Sequence, residues 1–357
     1  MPKDYGLMVE EIQQVLKEKT KRYAFKKLDR EIIQTGACVE CGSCVTGCPV
    51  DAISGNRVAG KYVPQLTGDC ISCGICYAMC PRTHALDDEL VGNVISAWKV
   101  RAHGDCKRQD GGAVTAILKY LLKTRTIDGA VVACPSKDNK WLPEAKLIEK
   151  SEDLNECGGT IYTHAQVIAS MMEGIKKGLT AMGVVGTACN IDSIHRLEIH
   201  PGGLLQLNPE IEVFKISLFC MESFNYDNLR IFLSNANIDI DDVKRFAIAG
   251  GELTISLEDN EHRWPIGELD TAAASSCLYC QDLTGVNADL SCGNIGSGAG
   301  WTSVFVRTKR GEAAMNGVIK EGLIEAIPLE AKEIQAVINS ARFKKNKYYK
   351  LSSNPTE

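Results

Sequence analysis

The sequence lacks any apolar run approaching the roughly 18 residues a membrane span requires. Its first residues, MPKDYGLMVEEIQQ, also lack the apolar core of a secretory signal peptide. There is no excess of positive charge: 40 Lys and Arg stand against 45 Asp and Glu, a formal net charge of -5, which argues against nucleic acid as the main partner. Its six histidines, His84, His103, His164, His195, His200 and His262, show no H-E-x-x-H or comparable ligand spacing. Nor is a general acid or base of the serine-hydrolase kind visible. What remains is 45% hydrophobic and 24% charged residues over 357 positions, the composition of a globular protein of two or three domains.

Cysteine, by contrast, is plentiful, with 16 in the chain. Eight lie between Cys38 and Pro81, in CVECGSCVTGCP and CISCGICYAMCP, each the C-x2-C-x2-C-x3-C-P run of two-cluster ferredoxins. In that pattern three close thiolates hold one 4Fe-4S cluster and the fourth reaches the other cluster. Cys38, Cys41, Cys44 and Cys80 therefore form one ligand set, and Cys70, Cys73, Cys76 and Cys48 the second. Gly42, Ser43, Gly47 and Gly74 are small enough to let the backbone wrap the cube. Zinc would need only four ligands per site, whereas here two complete halves each close on a proline, Pro49 or Pro81. This spacing makes thiolate ligation in a reducing cytoplasm a better reading than disulfides, and it implies electrons moved singly.

Residues 1–34 read as a polar helical arm, with Leu7, Val9, Ile12, Val15 and Leu16 on one stripe and a Lys-rich run from Lys17 to Lys27. Residues 35–85 form the ferredoxin-like domain. DDELVGNVISAWKVRAHGD reads as a connector to a larger domain, residues 100–327, in which strands and helices alternate. Expected helices are Gly111 to Thr124, Thr160 to Lys177 and one starting at Asp227. Expected strands are Ile127 to Cys134, Ala181 to Cys189 and Glu212 to Cys220, with hairpins after Leu253 and around the glycine-rich GNIGSGAG. The expected fold is an α/β or α+β body with a mixed sheet, followed by a C-terminal helix and basic tail over residues 328–357.

G-S-G-A-G-W from Gly296 to Trp301 is followed by a strand, so it is not a dinucleotide loop, which opens a helix. Gly111 and Gly112 do open a helix, whose free N–H groups suit a phosphate or a flavin edge; plain helix entry is the alternative. Cys106, Cys134, Cys157, Cys189, Cys220, Cys277, Cys280 and Cys292 lie outside the ferredoxin block. Cys277 and Cys280 form a C-x2-C half-site. Cys189 and Cys220 fall at the carboxyl ends of predicted strands, where α/β sheets gather ligands. These four could hold a third cluster, or Cys189 and Cys220 could be buried small hydrophobes; Cys134, Cys157 or Cys292 could replace one of the four.

QDGGAVTAILKYLL, IDGAVV, VGTACN, LFCMESF and above all CLYCQDLTGVNADLSCGNIGSGAGWTSVFVRTKRG resemble the family of beta subunits of coenzyme F420-reducing hydrogenase and F420-linked formate dehydrogenase, from about Arg101 to Leu323. With a two-cluster segment placed N-terminally, the chain is similar to the F420-oxidising input subunits of F420H2 dehydrogenases. The family has Gly-Thr-Pro-Cys where this chain has Gly186-Thr187-Ala188-Cys189, which removes a rigid turn residue and keeps the thiolate. The resemblance implies FAD, a third 4Fe-4S cluster in a flavin domain, and hydride exchange with F420. A flavin is then required between a hydride carrier and one-electron clusters.

On this reading Asp110, Gly111, Gly112, Thr115, Gly158, Gly159, Thr160 and His164 surround FAD. Lys107 and Arg307, with Arg108, Lys309 and Arg310 nearby, are candidates for the phosphate and polyglutamate tail of F420. Expected partners are F420 and electron-accepting or electron-donating subunits. The Lys-rich arm and the tail Arg342 to Lys350 are expected to dock an acidic partner or an anionic membrane-associated complex. Two alternatives are a ring reductase similar to hydroxymethyl chlorophyllide reductase and an electron carrier without its own organic substrate.

Overall fold

The computed structural model describes residues 25–34, 36–82, 90–104, 109–139 and 141–352. Most of the N-terminal arm, Lys107, Arg108, Cys106, His84 and the last residues of the tail lie outside the described residues.

The N-terminal domain is built twice from one device. Gly42 and Gly74 take left-handed φ of 83° and 80°, and each starts a single helical turn, Ser43–Thr46 or Ile75–Ala78. A left-handed residue at this point turns the chain back around the cysteines that precede it, and glycine adopts it without steric cost. Between the halves, β1 (Ile53–Val58) and β2 (Lys61–Leu66) form an antiparallel hairpin.

The larger domain is an eight-stranded mixed sheet. Its strands are β3 (Ser96–Ala102), β4 (Gly129–Pro135), β5 (Pro143–Ile148), β6 (Ala181–Thr187), β7 (Glu212–Leu218), β11 (Leu290–Gly293), β12 (Thr302–Val306) and β13 (Ile324–Pro328), in the order β13-β3-β12-β11-β7-β6-β4-β5. β4, β6, β7 and β11 are parallel to their neighbours within that group; the remaining pairings are antiparallel. A separate antiparallel sheet of β8 (Arg245–Ala249), β9 (Glu252–Ser256) and β10 (Glu261–Pro265) packs with the Tyr226–Asn235 helix through Phe246, Leu229 and Leu233. One side of the main sheet packs Ile117, Leu118 and Leu121 of the Ala113–Lys123 helix with Met315 and Val318 of the Lys309–Lys320 helix. Another cluster joins the Val167–Lys176 and Ala188–Ile199 helices to Val39, Ile75 and Met79 of the N-terminal domain. The two domains thus share an apolar core, which fixes their cysteines relative to one another.

Three sequence expectations change. The segment read as a connector contains β3, hydrogen-bonded on both sides by β12 and β13. The helix expected from Thr160 begins at Val167, because Phe224 N–H donates to the Tyr162 carbonyl (2.6 Å) and the Thr163 hydroxyl to the Trp141 carbonyl (2.8 Å), which hold this stretch extended. The strand expected to reach Cys189 ends at Thr187. That residue is the N-cap of the next helix, in a reciprocal capping arrangement with Asn190, so Cys189 sits in a first helical turn.

Candidate metal centres

The eight N-terminal cysteines lie close together, Cys44 acting on Cys76 as well as on its own expected set. Cys80 interacts with Cys41 and Cys38, and Cys44 with Cys41, Cys38 and Cys80. Cys76 interacts with Cys73, Cys70 and Cys48. Burial, then crowding by neighbouring thiols, pushes Cys76 up to about 12; burial lifts Cys38 to the same value. Four such groups cannot all ionise side by side unless a positive centre compensates them, which an iron-sulfur core supplies. Among the described residues no three His, Cys, Asp or Glu side chains converge on a single-ion position. Cys70 is exposed, as are Val50 and Ile71 beside it, so the second set borders the surface.

Cys189, Cys220, Cys277 and Cys280 also come together, from three places in the fold: a helix start, the loop after β7, and the turn Ser275–Tyr279, which carries Cys277, with its C-cap Cys280. Their surroundings divide them. Burial would raise Cys280, but Lys344 and then Arg82 outweigh it and hold the thiol at about 7. Burial would likewise raise Cys277, and a hydrogen bond from His164 leads the groups that bring it below its usual range. Burial pushes Cys220 up to about 12 against the pull of Lys344, and raises Cys189 as well. Ser223 N–H also donates to Cys277 Sγ at 3.3 Å.

Two cations from other parts of the chain close this site. Arg82, directly after the Cys80-Pro81 pair, donates to the carbonyls of Tyr279 (3.2 Å) and Ser276 (3.4 Å). Lys344 donates to the carbonyls of Cys220 (2.5 Å) and Asp282 (2.8 Å). The Asp282 carboxylate is occupied by the N–H groups of Thr284, Gly285 and Val286 at 2.8 to 3.0 Å. Arg82 Nε, His164 Nε2 and Ser276 Oγ are buried without a protein partner. Unpartnered donors around four thiols suit a group rich in acceptor sulfides. Sequence reasoning missed Arg82 and read Lys344 as part of a basic docking tail.

The other cysteines separate from this set. Cys134 and Cys157 are joined in a disulfide. Cys292 is buried in β11, and burial alone raises it to about 12.

Gly112 caps the Ala113–Lys123 helix at φ 76°, and no side chain caps its first N–H groups. Gly111 has a packing reason of its own: an added Cβ would lie 2.2 Å from the Val100 carbonyl and 2.6 Å from Thr302 N. Thr115 lies in the first turn of that helix. The Asp110 carboxyl is raised by burial, against the pull of Arg245, which also donates to the Gln109 carbonyl at 3.1 Å. Burial pushes the Tyr162 hydroxyl up to about 12; Asp110 and Cys220 add to this, while the Ile248 N–H and Arg245 oppose it. Gly158, Gly159 and Thr160 form an extended loop, not a helix entry, and a Cβ on Gly159 would meet nothing within 4 Å. A concavity of about 350 Å³ opens between Arg57 of β1 and Pro143, Glu144, Gln166 and Ser170.

Arg307 is buried and fully engaged: it donates to Ser291 Oγ (2.6 Å), the Val91 carbonyl (2.7 Å), the Asn93 carbonyl (3.0 Å) and Thr284 Oγ1 (2.8 Å). Burial brings it down to about 10. It braces β11 and β12 and presents no free donor set to a bound anion. Arg310 pairs with Asp289, and exposed Lys309 with Glu312.

Residues 94–172 match the N-terminal and residues 179–332 the C-terminal part of the family described as coenzyme F420 hydrogenase/dehydrogenase, beta subunit; residues 18–86 match a 4Fe-4S dicluster domain. The chain is 32% identical to a coenzyme F420-dependent sulfite reductase of Methanocaldococcus jannaschii over 88% of its own length, but it spans only 51% of that relative. It is 30% identical to one of the subunits of the F420H2 dehydrogenase of Methanosarcina mazei, covering 79% of this chain and 82% of the relative. Its fold aligns with a chain of the F420-reducing [NiFe] hydrogenase complex from Methanosarcina barkeri, with a TM-score of 0.69 and 28% identity, over 75% of this chain and 94% of that one. By this identity and coverage the chain belongs to the family of coenzyme F420 hydrogenase/dehydrogenase beta subunits.

Proposed function

We propose that this chain oxidises reduced coenzyme F420 at a bound FAD and passes the electrons singly through three 4Fe-4S clusters to a partner protein. One observation carries the reading: Arg82, two residues after Cys80, donates to the carbonyls of Ser276 and Tyr279 on either side of Cys277, which brings the Cys189, Cys220, Cys277 and Cys280 set beside the set holding Cys38 and Cys80, and the last set ends at exposed Cys70. Burial, and then Asp110 and Cys220, raise the Tyr162 hydroxyl. When bound, FAD supplies the conversion between a hydride's electron pair and the single electrons that clusters carry.

The chain's own residues divide the remaining work. The uncapped N–H groups after Gly112, with Asp110 and Thr115, would hold the flavin or its phosphates at the positive end of a helix. Gly158 to Thr160 would border it. His164 is the first of the groups that bring the Cys277 thiol below its usual range, which favours the thiolate a cluster needs. Lys107 is assigned to the anionic part of F420, since Arg307 is committed within the body. In the sulfite reductase the matched segment is about half of the protein, an arrangement that suits an electron-input module serving an acceptor carried elsewhere.

Purified under anoxic conditions, the full chain should carry stoichiometric FAD and about twelve irons, four per cube, and reduced F420 should bleach its flavin. About eight irons with full flavin would remove the third cluster from this reading. Full flavin that reduced F420 leaves oxidised would remove F420 as its substrate.

A further inference from the structure

The two cations beside the four-cysteine site come from outside both segments that match the F420 family, residues 94–172 and 179–332. Arg82 belongs to the dicluster domain and Lys344 to the Ala331–Ser352 helix. On that helix Val337, Ala341 and Lys344 are buried at spacings of four and three, so the lysine continues the apolar face that seats the helix on the body. It is 3% exposed, and its ammonium bridges the loop carrying Cys220 to the loop carrying Cys280 through the carbonyls of Cys220 and Asp282.

Arg82 bridges in a second sense. Its backbone N–H donates to Cys80, of the first expected N-terminal set, while its guanidinium spans the carbonyls of Ser276 and Tyr279, which flank Cys277 and precede Cys280. Nε remains unpartnered and buried. Burying an ammonium and a guanidinium costs several kcal/mol each unless negative charge shares the site. Among the described residues the partners of Arg82 and Lys344 are carbonyls and cysteines, and the nearby Asp282 carboxylate is taken up by three backbone N–H groups. Glu40, near Cys38 and His164, accepts from Tyr62 N–H at 2.8 Å. The negative charge that compensates these two cations is therefore that of the cysteine site.

We propose that Arg82 and Lys344 are positioning residues of the cluster held by Cys189, Cys220, Cys277 and Cys280: their charges raise its reduction potential, and Arg82 is the contact through which it adjoins the cluster of Cys38, Cys41, Cys44 and Cys80. Reduction adds one negative charge to a cluster, so a fixed cation a few ångströms away favours the reduced form. The inference rests on the third-cluster reading above. It also gives the basic tail a different task from docking, since deleting residues 343–357 would remove a buried charge from a redox site.

The test is an EPR-monitored redox titration of the anoxic full chain, with iron content measured on the same samples, for the native protein and for Arg82→Gln, Lys344→Met and Lys344→Arg. Expected is a shift of one cluster's midpoint to more negative potential in Lys344→Met, its recovery toward the native value in Lys344→Arg, and a negative shift in Arg82→Gln. Loss of that one cluster in Lys344→Met with retention in Lys344→Arg also supports the proposal. It is overturned if all three variants keep native iron and native midpoints, or if Lys344→Met and Lys344→Arg lose the cluster equally. Absence of a third cluster from the native protein would instead defeat the underlying reading, a result distinct from either.

Discussion

The two cysteine regions of this chain are assembled in opposite ways. The N-terminal region draws all eight thiols from one stretch, Cys38 to Cys80, and shapes it with two left-handed glycines and two single helical turns. The second region draws four thiols from a helix start, the loop after β7 and one turn beyond strands β8 to β10, and adds a guanidinium from one flank of the chain and an ammonium from the other. A local site depends on its own loop geometry. A composite site exists only when the whole domain and both flanking segments are in place, and this couples it to the body around it. On the proposed reading the N-terminal pair is the wire and the composite site the junction between that wire and the flavin.

The largest effect is expected where the composite site loses a ligand. Cys277→Ser should lose about four of the twelve irons while the N-terminal sets, which share no ligand with it, keep theirs. Iron and sulfide analysis checks this; loss of all the iron would show that the two regions do not assemble independently.

The next test concerns the brace under the composite site. Arg307→Leu leaves two hydroxyls and two carbonyls without their donor and should cost on the order of 3 kcal/mol in denaturant unfolding. The KM for F420 should remain within about twofold, because the guanidinium already points into the protein. A variant of native stability with a strongly raised KM would return Arg307 to the substrate site.

The smallest effect is expected at the local site. Gly42→Ala places a Cβ 3.9 Å from Tyr62, so space is available, but the residue stays at φ 83°. The cost should be about 1 kcal/mol in thermal unfolding with full iron retained. A larger loss, accompanied by iron release, would mean that this region too depends on more than its own loop.

The same contrast explains what could be read in the chain. Ferredoxin spacing is a local code, and the eight N-terminal cysteines fall into two sets without any knowledge of the sheet. Cys277 and Cys280 are also local, whereas the neighbourhood of Cys189 was legible only in outline: Thr187 converts the expected strand end into a helix cap, which a short apolar run does not reveal. β3 went unread because its seven residues alternate poorly and its pairing partners, β12 and β13, lie far along the chain. Arg307 resembles a ligand-binding arginine beside a family motif; its burial depends on Ser291, Thr284 and the Val91 loop converging on it. Lys344 left a usable signal, since it lies in phase with Val337 and Ala341, but the surrounding lysines favoured a solvated face. Arg82 left none.

In the proposed path, electrons reach the N-terminal clusters through the composite site. The most direct measurement is rapid mixing of reduced F420 with the anoxic Cys277→Ser chain, following flavin absorbance by stopped flow and cluster reduction by freeze-quench EPR. The predicted result is flavin bleaching at the native rate with the N-terminal clusters left oxidised on that timescale; reduction of those clusters as fast as in the native chain would contradict it.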